Sequence, residues 1–356
     1  MSPLGRSSAS PETEGIRVVA IGGGTGLSTL LKGLKHYTAQ AASRPWIAEL
    51  CGIVTVSDDG GSSGRLRKEL NMLPPGDIRN CIVALSEDEA LLSRLFQHRF
   101  QRGSGLEGHS FGNLFLAALT SITGDFAEAV RVSSEVLLTR GHIYPATTSD
   151  VELEARLEDG SQVRGETKIT ASKGRIIEVH LVPADVQPMQ QTLDAIARAD
   201  LITIGPGSLF TSLIPNLLVR GIPEAIAASS ATRVFVCNLM TQANESLGLT
   251  AADHLRALLQ HSQSQIFDFA FINQTPASPE MREKYALEGA AQIESDLDRI
   301  ESLGVRPILG DYLDEAGVAR HATDRVATDL LSLVREVSRV GKPNVTALGS
   351  TPLTGR

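Results

Sequence analysis

The sequence predicts an α/β fold, a Rossmann-like, three-layer parallel sheet with a small antiparallel β insert. Short apolar runs alternate along the chain with segments whose apolar residues recur at helical spacing. Such continuous apolar runs are typical of parallel strands covered by helices on both faces. One stretch, from about 141 to 183, instead alternates apolar and polar residues around the turn signals Asp159-Gly160 and Lys173-Gly174. That pattern indicates the antiparallel insert.

The first half of the chain is predicted to contain two buried strands, each followed by helical segments. Both strands are apolar, and the first runs directly into glycine. The strands are Ile16–Ile21 and Glu49–Val56, and the helical segments are Ser28–Lys35, a helix starting at Leu66–Leu70, Asp77–Leu85, Glu87–Gln101 and Gly112–Thr123.

The same rhythm resumes after the insert. Because strands alternating with helices form parallel sheets, the strands of both halves should lie in one sheet. The strands are Ala199–Ile204, Thr232–Cys237 and Phe267–Asn273, and the helices are Pro188–Arg198, Ser208–Leu218, Ala251–Gln260 and Ala322–Val337. We therefore predict a disordered leader at 1–15, a single domain at 16–340 and a loose tail at 341–356.

Composition narrows the classes of function. The 356 residues carry a net charge of −8 and no Lys/Arg-rich run, which argues against nucleic acid as a partner. No apolar run reaches the roughly 20 residues of a membrane span, so no membrane insertion is expected. The three cysteines are scattered within apolar stretches, as free thiols of a cytoplasmic protein would be. We expect a cytoplasmic location.

Two glycine-rich loops follow predicted strands and are candidates for phosphate binding. Glycines let the backbone approach a phosphate, and the next helix offers free N–H groups. The dinucleotide fingerprint is not met, because Leu27 stands at its sixth position, and no Walker sequence is present. A tight turn without a ligand remains an alternative. The candidates are Gly22, Gly23, Gly24, Thr25, Gly26, Gly205, Gly207 and Ser208.

Polar residues after other strands are further candidates. Asp58 and Asp59 could bind ribose hydroxyls or hold Mg²⁺ through their carboxylate oxygens. The alternative is a structural role, in which an aspartate caps the following helix. Asp77 is placed as a cap. His109 has no second histidine or cysteine at metal-ligand spacing. The remaining candidate ligand-binding residues are Ser62, Asn80, Asn113, Asn238, Thr241 and Gln242; for Asn113, capping and ligand contact are equally open.

Six motifs in order resemble the YvcK/CofD-like family, and its YvcK branch, the gluconeogenesis factors, in particular. The resemblance spans about Ile16 to Val337. The motifs are AIGGGTGLSTLLKGLK, TVSDDGGSSGRLR, LPPGDIRNCIVALS, HSFGNLFLAAL, ITIGPGSLFTSLIPNLLV and VCNLMTQANES. The segment GVARHATDRVATDL resembles the YvcK branch, in which the equivalent of Arg320 is implicated in UDP-sugar binding.

The resemblance implies two alternative functions. The first is a non-catalytic factor that binds a UDP-sugar of the UDP-N-acetylglucosamine type and supports cell shape and envelope precursor supply during gluconeogenic growth. The second is a Mg²⁺-dependent 2-phospho-L-lactate transferase-like enzyme, in which Asp58, Asp59 and Asp77 would hold the metal. A flat deazaflavin acceptor favours aromatic walls, and only 4% of the residues are aromatic, so we favour binding.

Two partners are expected besides the nucleotide sugar. A regulator of this kind would contact an enzyme of amino-sugar or envelope precursor synthesis. The segment LFTSLIPNLLVRGIPEAIAAS is apolar over much of a helical surface. Such a surface either packs inside its own domain or meets a second copy across a two-fold axis. We predict a homodimer.

Overall fold

The computed structural model describes residues 15–38, 46–87 and 91–341. Apart from Gly15 and Gly341, the predicted leader and tail lie outside these ranges. No described helix is both long enough and apolar enough to cross a membrane.

Most described strands belong to one parallel sheet, as predicted. The strands in chain order are β1 (Ile16–Gly22), β2 (Ile47–Val54), β3 (His142–Pro145), β4 (Glu152–Leu157), β5 (Gln162–Arg164), β6 (Ile176–Val182), β7 (Leu201–Ile204), β8 (Thr232–Val236), β9 (Phe269–Asn273), β10 (Arg306–Gly310), β11 (Leu313–Glu315) and β12 (Ala319–His321). The parallel sheet has seven strands in the order β10-β9-β8-β7-β1-β2-β3.

Helices flank this sheet and complete the Rossmann-like α/β architecture. α1 packs against α3 and α14, and α8 packs against β1, β3 and α10. The helices are α1 (Gly24–Leu34), α2 (Gly61–Leu70), α3 (Gly76–Leu85), α4 (Leu92–Gln97), α5 (Phe111–Thr123), α6 (Phe126–Val136), α7 (Glu166–Ala171), α8 (Gln190–Arg198), α9 (Ile214–Leu217), α10 (Ile222–Ala228), α11 (Ala251–Ser262), α12 (Pro279–Ala286), α13 (Leu297–Ser302) and α14 (Thr323–Val340), with a 3₁₀ turn at Lys35–Tyr37 and a π turn at Leu209–Leu213.

The two halves of the chain meet at the centre of the sheet. β1 pairs in parallel with β2 on one side and with β7 on the other, so the strands predicted at Ile16–Ile21 and Ala199–Ile204 are direct neighbours. The strand order reverses between β1 and β7, and in open α/β sheets ligands bind at the carboxyl ends of the strands beside this reversal. Both glycine loops begin there, because one follows β1 and the other follows β7.

The antiparallel insert is a three-stranded sheet in the order β5-β4-β6, with α7 between β5 and β6. It extends from Glu152 to Val182. The strand β3 also lies within the predicted insert range, but it pairs with β2 and forms the edge of the parallel sheet. Four residues are too few for their own sequence pattern to reveal which sheet they join.

Three segments differ from the sequence-based expectation. In place of a helix over 87–101, the described part has only the six-residue α4, followed by an irregular segment to Ser110. The predicted helix at Ser208–Leu218 is a π turn that leads into the short α9. After Pro276 the chain also forms β10 and the hairpin β11–β12, which are short and lack strong periodicity.

Candidate functional site

A cavity of about 700 Å³ opens beside the two glycine loops. It lies at the carboxyl ends of the central strands, where the strand order reverses. The candidates from the sequence that line it are Gly23, Gly24, Thr25, Gly26, Asp58, Gly207, Ser208, Asn238, Thr241, Gln242 and Arg320. Gly22 is the last residue of β1, and Gly205 directly follows β7. Neither glycine lines the cavity.

The first glycine loop presents an uncapped helix N-terminus to the cavity. Gly23 is the N-cap of α1 and, having no side chain, makes no capping hydrogen bond. The N–H of Gly24 donates to the Asp77 carboxylate, whereas within the described residues no protein acceptor meets the N–H of Thr25 or Gly26. The positive end of the α1 dipole and these two free donors form a site suited to an anion.

Close contact between the two loops requires glycine at position 26. A Cβ atom on Gly26 would lie 2.2 Å from the carbonyl oxygen of Pro206. The loops therefore touch, and any side chain at this position would push them apart.

The second glycine loop is held by side chains of the protein itself. The N–H of Gly207 donates to Oδ1 of Asn238 at 3.0 Å, and Nδ2 of Asn238 donates back to the Gly207 carbonyl at 2.7 Å. Asn238 thus uses both ends of its amide on the loop. It positions Gly207, and one N–H and one oxygen lone pair of its amide are not used by these two bonds.

A buried carboxylate occupies the start of the turn that follows the second loop. Glu245 is 6% exposed and accepts hydrogen bonds from the N–H of Phe210 at 2.7 Å and of Thr211 at 3.1 Å. Burial raises the pKa of Glu245, and these hydrogen bonds oppose that rise. Because a protein carboxylate already meets these donors, the second loop is less suited to phosphate than the first.

Two side chains at the second loop, those of Ser208 and Gln242, bond to each other. Nε2 of Gln242 donates to Oγ of Ser208 at 2.9 Å, while the buried Oε1 of Gln242 has no partner in the described structure. Thr241, by contrast, pairs with Ala291 through its backbone N–H and its hydroxyl oxygen.

Three carboxyl groups line the same cavity as the first loop. Asp58, Asp77 and Glu166 all line the cavity. Burial, and then the charge of Asp58, raise the pKa of Asp77 to about 7. Burial, followed by repulsion from Asp58 and Asp77, raises the pKa of Glu166 well above its usual range. In the described residues, no group of three or more His, Cys, Asp or Glu side chains is arranged to hold a metal ion.

Asp59 has a different role from Asp58. Its Oδ1 accepts hydrogen bonds from the backbone N–H of Thr167 at 2.8 Å and from the Thr167 hydroxyl at 2.6 Å. These bonds fasten α7 to the loop after β2, which brings the adjacent Glu166 to the cavity. Asp59 is not among the residues that line it.

The hairpin β11–β12 also lines the cavity, to which its second strand contributes Ala319, Arg320 and His321. Arg320 is exposed and is the only arginine or lysine among the described residues that line the cavity. Nε2 of His321 bonds to the Cys237 carbonyl at 3.0 Å, and burial lowers the His321 pKa to about 4. His321 is therefore neutral at physiological pH, and Arg320 supplies the positive charge.

Three sequence candidates, Ser62, Asn80 and Asn113, lie away from the cavity in what we call the Arg79 network. The network comprises Ser62, Arg79, Asn80, His109, Ser110 and Asn113. Arg79 donates to Ser110 Oγ at 2.5 Å and to Asn80 Oδ1 at 2.6 Å. Asn113 Nδ2 donates to Ser62 Oγ at 3.1 Å, and that hydroxyl lies 2.9 Å from Nδ1 of His109.

The contribution of Glu166, Tyr285 and His321 to the cavity was not anticipated from the sequence. Glu166 lies in the insert and His321 in the short hairpin, so neither follows a strand of the parallel sheet. Tyr285 is on α12, where its hydroxyl accepts the N–H of Ala319 at 3.2 Å. Of these three residues, only His321 could have been predicted from the sequence, because it is adjacent to Arg320.

Comparison with known proteins identifies the family. The family model described as 2-phospho-L-lactate transferase CofD matches residues 18–313. The chain is 49% identical over 316 residues to the gluconeogenesis factor of Halalkalibacterium halodurans, covering 88% of this chain and 95% of that protein. It is 46% identical over 321 residues to the gluconeogenesis factor of Bacillus subtilis, covering 90% and 98%.

A solved structure shows the same fold. The crystal structure of a UPF0052 family protein from Bacillus halodurans superimposes with a TM-score of 0.85 at 47% identity, covering 89% of this chain and 99% of that one. With a family match over most of the domain, relatives close to half identical along nearly their whole length, and a shared fold, the chain belongs to the CofD family and, within it, to the relatives named gluconeogenesis factors.

Proposed function

We propose that this protein is a non-catalytic factor that binds a nucleotide sugar of the UDP-N-acetylglucosamine type. The observation that carries the proposal is the uncapped N-terminus of α1, which lines a cavity of about 700 Å³ together with Arg320. Pockets for small ligands commonly have volumes of roughly 300–1,000 Å³. A diphosphate would interact with the helix amides and with the guanidinium group.

The diphosphate is assigned to the first loop because the N–H groups of Thr25 and Gly26 have no acceptor within the described residues. In the second loop, Asn238 and Glu245 already pair with the N–H groups of Gly207, Phe210 and Thr211. The second loop then contacts the uncharged part of the ligand through Ser208 and Gln242. Asp58 remains the candidate for a ribose hydroxyl or a cation.

The wider role is inferred from the relatives, which are named gluconeogenesis factors. We propose that the bound nucleotide sugar controls contact with an enzyme of amino-sugar or envelope precursor synthesis. Cell shape would then depend on the protein during growth on gluconeogenic carbon sources. A cytoplasmic location and a homodimer remain part of this proposal, and a solution mass near the 37.9 kDa of one chain would exclude the dimer.

Calorimetry with UDP-N-acetylglucosamine tests the binding proposal. Arg320→Ala should weaken binding by roughly tenfold or more, because a charge-assisted hydrogen bond is removed. Arg325→Ala is the matched control, since Arg325 is also exposed but does not line the cavity and donates instead to the Asp311 carbonyl. Equal affinity of both variants would remove Arg320 from the site, and no binding by the wild type would exclude the ligand class.

The second candidate function is a Mg²⁺-dependent transferase, as the family model's description suggests. The observation in its favour is the convergence of Asp58, Asp77 and Glu166 on the first loop. Two of these carboxylates would suffice for Mg²⁺, which proteins commonly hold through one or two carboxylates plus substrate phosphates. We propose Asp58 and Asp77 as the ligands, because Asp59 is bonded to Thr167. Bound Mg²⁺ would neutralise charge between the carboxylates and the diphosphate.

Product analysis separates the two functions. Incubation with a deazaflavin alcohol, a guanylylated phospholactyl donor and Mg²⁺, followed by mass spectrometry, should give no phospholactyl product if the protein is a binding factor. Product formation that is lost in Asp77→Asn would establish the transferase instead. Asp159→Asn serves as the control, because Asp159 is exposed in the insert and bonds only to Ser161 among the described residues.

A further inference from the structure

Helix α5 presents an uncharged outer face at the surface of the protein. Its 13 residues, FGNLFLAALTSIT, include no Asp, Glu, Lys or Arg. The buried residues of the helix are Gly112, Asn113, Leu116 and Ala117. The outer face, on the other side of the helix, consists of Phe111, Phe115, Ala118 and Ile122, none of which is buried. Ile122 is 78% exposed. Such an apolar helix surface is normally covered by another element.

The outer face has the spacing of a helix-packing seam. Its four residues follow one another at intervals of four, three and four, which is the alternation of a and d positions in a heptad. The nearby hydroxyls of Thr120 and Thr123 donate to the carbonyls of Leu116 and Leu119 at 2.8 and 2.9 Å. Because these donors are already paired within the helix, the surface can leave water without losing a hydrogen bond.

The segment LFTSLIPNLLVRGIPEAIAAS, considered from the sequence as a contact with a second copy, is not available for one. Leu213, Ile222 and Ile226 are at most 1% exposed, so the apolar side chains of this segment pack inside their own domain. The outer face of α5 is a different surface, and it is open.

The two ends of α5 carry opposite charges at the surface. Arg99 forms an isolated β-bridge with Ser110, the N-cap of α5, whereas Asp125 follows the C-terminal end of the helix. Both residues are exposed, and neither forms an ion pair with another described residue. A second α5 packed antiparallel would bring Arg99 of one copy to Asp125 of the other. A parallel arrangement would instead place like charges and like ends of the helix dipoles together.

The neighbouring helix α4 enlarges the surface. An interface of standard size takes roughly 20–30 residues from each partner, more than the 13 of α5 alone. α4 lies beside α5, because the ring of Phe96 contacts those of Phe111 and Phe115. Leu95, the residue before Phe96, is 40% exposed and adds apolar area.

We propose that the outer face of α5 is the interface of a homodimer, in which two copies of α5 pack antiparallel with the two-fold axis near Ala118. This inference rests on the homodimer of the proposed function and not on its ligand. The small side chain of Ala118 lets the helices approach closely at the centre of the face. Around this axis Ile122 of one copy lies level with Leu114 of the other. No residue of α5 lines the cavity, so both cavities stay open in the dimer.

Light scattering at micromolar concentration tests the interface. The wild type should have twice the 37.9 kDa mass of one chain. Ile122→Lys places an unpaired charge in the apolar contact, so its dissociation constant should rise by about a hundredfold or more. Val340→Lys is the matched control and should stay dimeric, because Val340 is 82% exposed and also lies at the C-terminal end of a helix. Thermal melting checks folding, and calorimetry with UDP-N-acetylglucosamine should give both variants the same affinity.

A cysteine at the axis tests the antiparallel arrangement. The native cysteines, Cys51, Cys81 and Cys237, are buried and free. With copper phenanthroline and air as the oxidant, Ala118→Cys should give a disulfide-linked dimer on a non-reducing gel, because its two thiols meet at the axis. Ala286→Cys is the control, since Ala286 is exposed on α12 and should not be cross-linked.

Each outcome decides the proposal. A wild-type mass near that of one chain overturns the homodimer together with this interface, whereas calorimetry decides the ligand proposal separately. If Ile122→Lys stays dimeric, or Val340→Lys dissociates equally, the interface does not lie on α5. If Ala118→Cys is cross-linked no faster than Ala286→Cys, the antiparallel arrangement is wrong.

Discussion

The cavity and the Arg79 network contain similar polar residues but use them differently. In the network, serine, asparagine and arginine side chains bond mainly to one another, as Arg79 does to Ser110 and Asn80. At the cavity, the N–H groups of Thr25 and Gly26 and the Oε1 of Gln242 have no protein partner in the described structure. The network also leaves two buried atoms, Nε of Arg79 and Oδ1 of Asn113, without a partner in the described structure. Residue type alone therefore does not distinguish a binding residue from a structural one; what sets the N–H groups of Thr25 and Gly26 apart is that their residues line a cavity large enough for a ligand.

The two regions also differ in charge. At the cavity, burial and mutual repulsion raise the pKa values of Asp77 and Glu166. In the network, burial and the neighbouring charge of Arg99 lower the pKa of Arg79. Substitutions in the network should accordingly change the free energy of unfolding, whereas those at the cavity should change ligand affinity.

The largest expected effect is that of Ser110→Ala in the network. Ser110 caps α5 by accepting the N–H of Asn113 at 3.3 Å, and it also accepts from Arg79 at 2.5 Å. Loss of a helix cap costs about 1 kcal/mol, and loss of a hydrogen bond to a charged group costs about 1.5–3 kcal/mol. We expect the free energy of unfolding in urea to fall by about 2–4 kcal/mol, with the affinity for UDP-N-acetylglucosamine unchanged.

The matched control for this variant is Ser278→Ala. Ser278 caps α12 by accepting the N–H of Met281 at 3.2 Å and has no arginine partner in the described structure. Its loss should cost only the capping energy of about 1 kcal/mol. Equal destabilisation of the two variants would mean that the Arg79 bond contributes nothing, and weaker ligand binding in Ser110→Ala would break the distinction between the two regions.

An intermediate effect is expected at the junction of the two glycine loops. In Gly26→Ala the new Cβ would lie 2.2 Å from the Pro206 carbonyl oxygen, so the loops must separate. We expect a stability loss of about 1–3 kcal/mol, typical of overpacking, together with weaker ligand binding. Gly22→Ala is the control in the same loop, because its Cβ would meet only ordinary contacts at 3.4 Å and beyond. Similar behaviour of both variants would argue against the close contact.

The smallest expected effect is the pH dependence of stability that arises from Asp77. Its pKa is raised to about 7, so between about pH 4 and 7 the folded state holds a proton that the unfolded state has released. Stability should therefore fall as the pH rises through this window. In Asp77→Asn that contribution is absent, and the decline between pH 5 and 7 should lessen by about 1 kcal/mol per pH unit.

Urea unfolding at several pH values measures this difference in slope. Asp159→Asn is a suitable control, because hydrogen bonds from the Ser161 hydroxyl and backbone lower the pKa of Asp159, and it stays ionised throughout the window. An unchanged slope in Asp77→Asn would show that the carboxyl is not held protonated by its surroundings. In that case the contrast between an acid-rich cavity and the Arg79 network would lose its electrostatic basis.

The residues of β1 and β7 were sufficient to predict their place in one parallel sheet. Val19, Ala20 and Ile21 are at most 1% exposed, and an uninterrupted apolar run that ends in glycine identifies such a strand. The same local logic located both glycine loops and Asp58, because the carboxyl ends of parallel strands lie at one edge of the sheet. Arg320 came from the family resemblance, and the structure places it on the cavity wall.

The sequence by itself determined which loops follow the strands of the parallel sheet. Only the tertiary contacts decided which polar groups of these loops remain available to a ligand. Asp58 and Asp59 are adjacent, yet one lines the cavity and the other is bonded to Thr167, 108 residues away. Glu166 reaches the cavity because of that bond, and Glu245 satisfies amides 34 and 35 residues before it. A side chain's free hydrogen-bonding capacity depends on partners distant in the chain, and no local pattern encodes them.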